Sequence, residues 1–213
     1  EPWTFGEEVA AKLRTIAHER YQLLAYWYTL FFEAERSGVP PMRPLWVEFG
    51  ADAQTWDMDD QFMVGTSLLV KPVTTAGVAT AEVYLPDDAA AEPASAWFNV
   101  RNGARLVAGQ HVTIAAPLGA IPVLQRAGSI VPRQMRLRRS SALMARDPYT
   151  RVVAPAADFS AVGMLFLDDG DGYAYRNGKY ALRKYTLAGG VLTSTSADAV
   201  GVAKPANALE RIE

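Results

Sequence analysis

The chain has 213 residues, 50% of them hydrophobic and 21% charged, which is enough for one large domain or two small ones with cores of their own. Lys and Arg number 21 against 23 Asp and Glu, a net charge of −2, which argues against a nucleic-acid or anionic-membrane surface. There is no cysteine, which excludes a disulfide scaffold and a thiolate metal site.

The two histidines, His18 and His111, are far apart in sequence and lack a second ligand at metal spacing, so they read as ordinary surface or core residues. No metal site and no cofactor is expected. The opening "EPWTFGEE" has no initiator Met, no basic leader and no apolar signal-like run, and is expected to be the start of a piece cut from a longer chain.

Residues Glu7 to Ser37 read as one long helix. Glu7 and Glu8 complement the positive helix start. Val9, Leu13, Ile16, Leu23, Leu24, Trp27, Leu30 and Phe31 follow the 3.6-residue period, and Gly38, Pro40 and Pro41 end it. Its second half, "LLAYWYTLFF", is apolar on most faces and needs neighbours on several sides. With few residues before it, those neighbours are expected upstream, outside this chain.

"MRPLWVEF" (Met42 to Phe49) then reads as a buried strand with Pro44 near its start. From about Ser67 the chain turns into short strand-like runs, from "SLLVKPV" to "GVLTSTSA", separated by Gly, Pro, Asn and Asp. This is the spacing of antiparallel sandwiches. "RNGK" (Arg176 to Lys179) suits a type I′ hairpin turn.

Three clusters carry polar chemistry. Asp168, Asp169 and Asp171 in "LFLDDGDGYAY" could bind calcium or sugar, but the EF-hand spacing is not met and an Asp-Gly turn explains them. "DMDDQF" (Asp57 to Phe62) reads as the N-cap of a short helix, or as carboxylates holding a loop at a barrel mouth. Arg133, Arg136, Arg138, Arg139 and Arg146 form a basic run without interleaved aromatics, read as a solvated linker or as arginines paired with nearby acids.

Taken in order, several segments resemble family 31 glycoside hydrolases. "EPW" is similar to the motif after that family's last active-site histidine, and "RYQLLAYWYTLFFEAERSGVPPMRPLWVEF" to its late-barrel helix and final barrel strand. "DDQFMVGTSLLVKPV" and "IPVLQRAGSIVPRQ" resemble the opening and closing strands of its first C-terminal β domain, and "LFLDDGDGYAY" its distal one. The resemblance implies an α/β plus all-β chain. Residues 1–64 would close a catalytic (β/α)8 barrel, 65–135 would form a proximal antiparallel β-sandwich, and 136–213 a distal, incomplete one.

The family's retaining mechanism uses two aspartates about 5–5.5 Å apart at the C-terminal ends of barrel strands. No acid here matches either motif, so no catalytic residue is assigned, and Asp59, Asp60, Asp168, Asp169 and Asp171 are not substitutes. Glu1 and Trp3 are the candidate substrate contacts at the pocket mouth. "MRPLWVEF", "MRLRRSSALMARDP", "LFLDDGDG" and "LTSTSAD" are nearest to the subgroup that trims α-1,3-linked glucose from N-glycans. That implies the upstream barrel, an oligosaccharide and a separate β subunit as partners, and the endoplasmic-reticulum lumen as compartment.

The alternative is a non-catalytic carbohydrate-binding or subunit-docking module, with Trp97, Phe98, Tyr173 and Tyr175 as exposed aromatics. If the distal sandwich lacks strands, unpaired edges and apolar surface are left open. Residues 1–213 expressed alone are then expected to aggregate or stay partly molten. A monomeric elution profile with a cooperative melt contradicts this.

Overall fold

A computed structural model describes residues 1–87, 95–201, 203 and 207–213. Sheet dominates. The helical N-terminal part is not one rod: α1 (Glu7–Gln22) and α2 (Leu24–Ser37) are separated at Leu23, whose amide bonds to Arg20 O instead of continuing the i→i−4 ladder. Neither Pro nor Gly stands at the break, so composition gave no warning of it. Glu8 and Lys12 pair at 2.6 Å along α1. Gly38 closes α2 as expected, in the left-handed conformation (φ 76°) with its amide on Ala34 O.

Two compact units account for the described residues: Glu1–Glu19 with Met42–Ala127, and Arg20–Pro41 with Gly128–Glu213.

In the first unit, β1 (Met42–Pro44) is shorter than expected. Pro44 is extended (φ −63°, ψ 158°) and caps a single helical turn, α3 (Leu45–Glu48), so the expected strand to Phe49 stops midway. The turn buries Leu45 completely.

The strands that follow are β2 (Phe62–Val64), β3 (Leu68–Val70), β4 (Thr80–Leu85), β5 (Ala96–Asn99), β6 (Arg105–Val107), β7 (Gln110–Ala115) and β8 (Val123–Arg126). Ala94, the first residue of the run expected to form β5, lies outside the described residues. The six-stranded order is β1-β2-β3-β8-β5-β6, and β4 pairs with β7 as a separate ribbon. Met63, Leu69, Leu124 and Trp97 of the sheet pack with Val83, Leu85 and Ile114 of the ribbon in one core. Trp97 is 0% exposed and donates from its indole to Pro86 O at 3.0 Å.

The second unit orders its strands β13-β12-β11-β9-β10-β14. They are β9 (Ser129–Arg133), β10 (Tyr149–Ala154), β11 (Ala161–Leu167), β12 (Ala181–Ala188), β13 (Val191–Ser196) and β14 (Leu209–Ile212). Two neighbouring pairs are parallel, β9/β11 and β10/β14, where an antiparallel sheet was expected. The type I′ signal also falls elsewhere. Asn177 ends a 3-10 turn closed by left-handed Gly178, while Gly189 and Gly190, both at positive φ, form the two-residue loop between β12 and β13, as that turn requires.

The apolar helix finds much of its cover downstream. Ala25, Tyr26, Thr29, Leu30 and Phe32 of α2 are buried. Phe32 stacks on Phe166 of β11 with ring centroids 3.9 Å apart, and meets Tyr180 at 5.6 Å. Tyr28 and Phe31 remain 42% and 57% exposed. The expectation that all neighbours lie outside the chain is therefore corrected for one face and not for the other.

The helix is fastened by a hydroxyl. β11 shares a single register pair with β9, Val162 with Ser129. Gly163 stands there because a Cβ would lie 2.1 Å from Ile130 O. Further along β11, the Phe166 amide donates at 3.0 Å to Thr29 Oγ1, which donates at 2.9 Å to Ala25 O.

Thr29 is 1% exposed, so Thr29→Val strands a buried N–H and is expected to lower stability by about 1–3 kcal/mol, whereas Thr29→Ser retains most of it. Equal denaturation midpoints for Thr29→Val and the parent would contradict this.

Candidate functional site

Glu1 and Trp3 lie at a 3-10 turn, Pro2–Phe5, held by Thr4, whose amide and hydroxyl both donate to Glu1 O (3.0 and 2.6 Å). Both residues are exposed, Trp3 to 68%. The turn presents an indole without enclosing it. An exposed ring with a free carboxylate nearby can stack on a pyranose, but no described residue builds a wall around it.

The acid clusters are committed to backbone turns. Asp168 Oδ1 accepts from Gly170 N at 2.8 Å, and Asp169 Oδ1 from Asp171 N and Gly172 N at 3.2 and 3.4 Å, which is the Asp-Gly turn reading. The short helical turn near the second cluster is capped upstream of "DMDDQF": Asp52 accepts from Gln54 N at 3.1 Å at the head of Ala53–Thr55. Asp57 precedes no helix, and the capping expectation there is corrected. Asp60 pairs with Lys71.

In the basic run, Arg136 pairs with Glu210, and Arg138 grips Asp147 with two bonds of 2.8 and 2.9 Å. Those two arginines match the paired reading. Among the described residues, no group of three or more His, Asp or Glu side chains is placed to hold a metal ion.

Two shallow cavities collect polar groups. One, of about 270 Å³ in the first unit, is lined by Asp57, Asp59, Asp60, Lys71, Glu82 and His111 among others; His111 Nδ1 lies 3.1 Å from Glu82. The other, of about 130 Å³ in the second unit, lies between Tyr28, Phe31, Phe166 and Tyr175, with Glu35 and Asp168 at its rim. There Tyr28 donates to Asp168 at 2.8 Å and Tyr175 to Glu35 at 2.7 Å. Burial, then the bond to Asp168, pushes the Tyr28 phenol well above its usual range.

Of the aromatics expected to be exposed, Tyr173 is, Phe98 and Tyr175 are half-buried, and Trp97 is core. The sequence reading treated Tyr28 only as part of an apolar run. The signal available was its place on the helix face away from Thr29 and Leu30.

A general acid in a glycosidase needs a carboxyl held above its ordinary range. The carboxyls with a resolved shift go the other way. Hydrogen bonds from Lys12, Tyr175, Arg138, Ser160 and Tyr180 hold Glu8, Glu35, Asp147, Asp158 and Asp198, respectively, below theirs.

Residues 38–131 match the glycosyl hydrolase family 31 C-terminal domain. Along 92% of its length the chain is 46% identical to a probable glucan 1,3-α-glucosidase of Arabidopsis thaliana, of which it covers 21%. Among solved structures it is similar to the glucosidase II α subunit in its Glc1Man2-bound form, with a TM-score of 0.91 and 32% identity, over 100% of this chain and 24% of that one. It is also similar to the ER glucosidase II complex of the catalytic subunit with the binding domain of the regulatory subunit, with a TM-score of 0.87 and 34% identity, over 92% and 21% of the two chains. The chain thus spans about a fifth of the length of the curated relatives it matches.

The Arg138 fork, with Arg136 behind it, holds Asp147 below its ordinary value of 3.8. A depressed carboxyl stabilises the fold fully above the unfolded value and loses that contribution as pH falls through the folded one. Between pH 5 and 2 the melting temperature is therefore expected to fall more steeply for the parent than for Asp147→Asn. Parallel slopes would show that solvent screens the pair.

Proposed function

We infer, because residues 38–131 match the glycosyl hydrolase family 31 C-terminal domain, that this chain is the non-catalytic C-terminal part of a retaining α-glucosidase of the glucosidase II kind. The observation that carries the reading is the likeness to the glucosidase II α subunit along the whole chain. In this reading residues 1–64 supply the last helix and strand of the catalytic (β/α)8 barrel, and 65–135 and 136–213 are the proximal and distal β domains. The exposed ridge of Tyr28 and Phe31 suits a helix with one face on its own sheet and another towards the barrel.

The whole protein removes α-linked glucose from N-glycans in the endoplasmic-reticulum lumen, in partnership with a glucosidase II β subunit. Both catalytic aspartates belong to the barrel outside residues 1–213. That no acid of residues 1–213 matches either catalytic motif of the family supports that assignment. Glu1 and Trp3 sit near the mouth of the substrate pocket, and the exposure of Trp3 leaves its ring free to stack on a sugar.

Given an α-1,3-glucosyl oligosaccharide, the full-length protein is expected to release glucose with retained anomeric configuration, read by NMR. Residues 1–213 alone are expected to release none. Hydrolysis by the isolated chain, or none by the full-length protein, overturns the proposal. In the full-length protein Trp3→Ala is expected to raise KM several-fold with kcat nearly constant. No change in either removes Trp3 from the pocket mouth.

A further inference from the structure

The face of the second unit's sheet opposite the Phe166 side chain carries a cavity of about 480 Å³. Strand alternation sets this up. On β11, Leu165 and Leu167 line it while Phe166, between them, packs on α2. On β12, Ala181, Arg183 and Tyr185 line it while Leu182, between the first two, joins the Phe32 cluster. The volume lies within the roughly 300–1,000 Å³ typical of small-molecule sites.

Arg151 lines this cavity and is 2% exposed. Its Nη2 donates to the Tyr185 hydroxyl, and its guanidinium carbon lies 4.2 Å from the Tyr185 ring centroid and 5.2 Å from that of Tyr149. Nε and Nη1 are buried without a hydrogen bond. A guanidinium cannot lose its proton in a protein, and the ring faces offset only part of a buried charge.

Among the described residues no Asp or Glu lines the cavity, and a second cation, Arg183, does. The acids nearest in sequence are engaged elsewhere: Asp147 with Arg138, Asp198 with Tyr180, Glu210 with Arg136 and Glu213 with Arg211. Residues 202 and 204–206, outside the described set, are Val, Lys, Pro and Ala and include no acid.

We propose that this cavity is a binding site for a small organic anion whose carboxylate or phosphate pairs with Arg151 and Arg183 and whose apolar body lies against Tyr149, Leu165 and Leu167. The two arginines supply charge, Arg183 being held at the β13 side by Nη2 bonds to Ser194 O and Oγ of 2.7 and 3.0 Å, and the leucine and tyrosine walls exclude water from the ion pair, where its strength is greatest.

The test is titration calorimetry of the full-length protein at low salt with benzoate and with benzyl alcohol, its neutral counterpart of similar shape. Benzoate is expected to bind saturably and at least tenfold tighter. Arg151→Met is expected to abolish the preference. Arg183→Gln, at a partly exposed position, is expected to weaken benzoate several-fold with an unaltered melting curve, and it carries the test if Arg151→Met does not fold. Equal affinity for the two probes, no benzoate binding, or benzoate binding unaffected by Arg183→Gln overturns the proposal. Absence of benzoate binding would point instead to an acidic side chain of the full-length protein as the partner of Arg151.

Discussion

The Phe166 amide is where the second unit is held together. β11 touches β9 through one register pair, where Gly163 makes room for the Ile130 carbonyl, and the Phe166 amide is then received by a threonine hydroxyl on a helix. A buried N–H must find an acceptor, so this bond fixes which face of α2 turns to the sheet. Tyr26, Leu30 and Phe32 are buried with Thr29, and the Phe32–Phe166 stack adds an aromatic contact worth about 0.5–1.5 kcal/mol beyond its burial. Once that face is set, Phe31 points outward and Tyr28 stays partly exposed while its hydroxyl reaches Asp168, and the ridge follows from the hydrogen bond beneath it.

The helix shows what sequence can and cannot reveal. Its period, its Gly38 stop and its excess of apolar surface were legible, because side-chain spacing and left-handed glycine are local facts. The neighbour that covers it was not. β11 is more than a hundred residues away, and nothing in "GMLFLDD" marks one edge of the strand as lacking a ladder partner. The break at Leu23 left no trace in composition: no proline or glycine stands there, and the Gln22 carbonyl beside it accepts from Gln134 N at 3.0 Å, over a hundred residues on.

Turn chemistry misled where two positions carried similar signals. Asn177-Gly178 and Gly189-Gly190 both permit positive φ, but only the second has strands of matching register on either side, Ala188 facing Val191. Pro44 was read as the start of a strand because its fixed φ suits extended backbone. It equally suits the entry to a helical turn, and the burial of Leu45 decided between them. Trp97 is expected among the exposed aromatics, yet Ala96 and Trp97 are both buried on this strand, and the indole lies in the core on Pro86 O.

Charge is sorted by sign in a way that bears on function. The acids sit where backbone amides are free, at Asp52, Asp158, Asp168 and Asp169, or against arginine and tyrosine. Where they meet arginine or tyrosine, at Glu35, Asp147 and Asp198, hydrogen bonds hold the carboxyls below their ordinary range. The deeply buried cations are different: Arg43 meets Glu48 at 2.6 Å, whereas Arg151 meets only tyrosines. In the strand "YTRVVA" Arg151 falls in phase with Tyr149 and Val153, both packed in that unit's core. The letters alone place a charge in the apolar phase of that strand. The exposed run proved to be paired at Arg136 and Arg138. Arg151, in a strand of mostly hydrophobic letters, is buried with tyrosines and without an acid among the described residues.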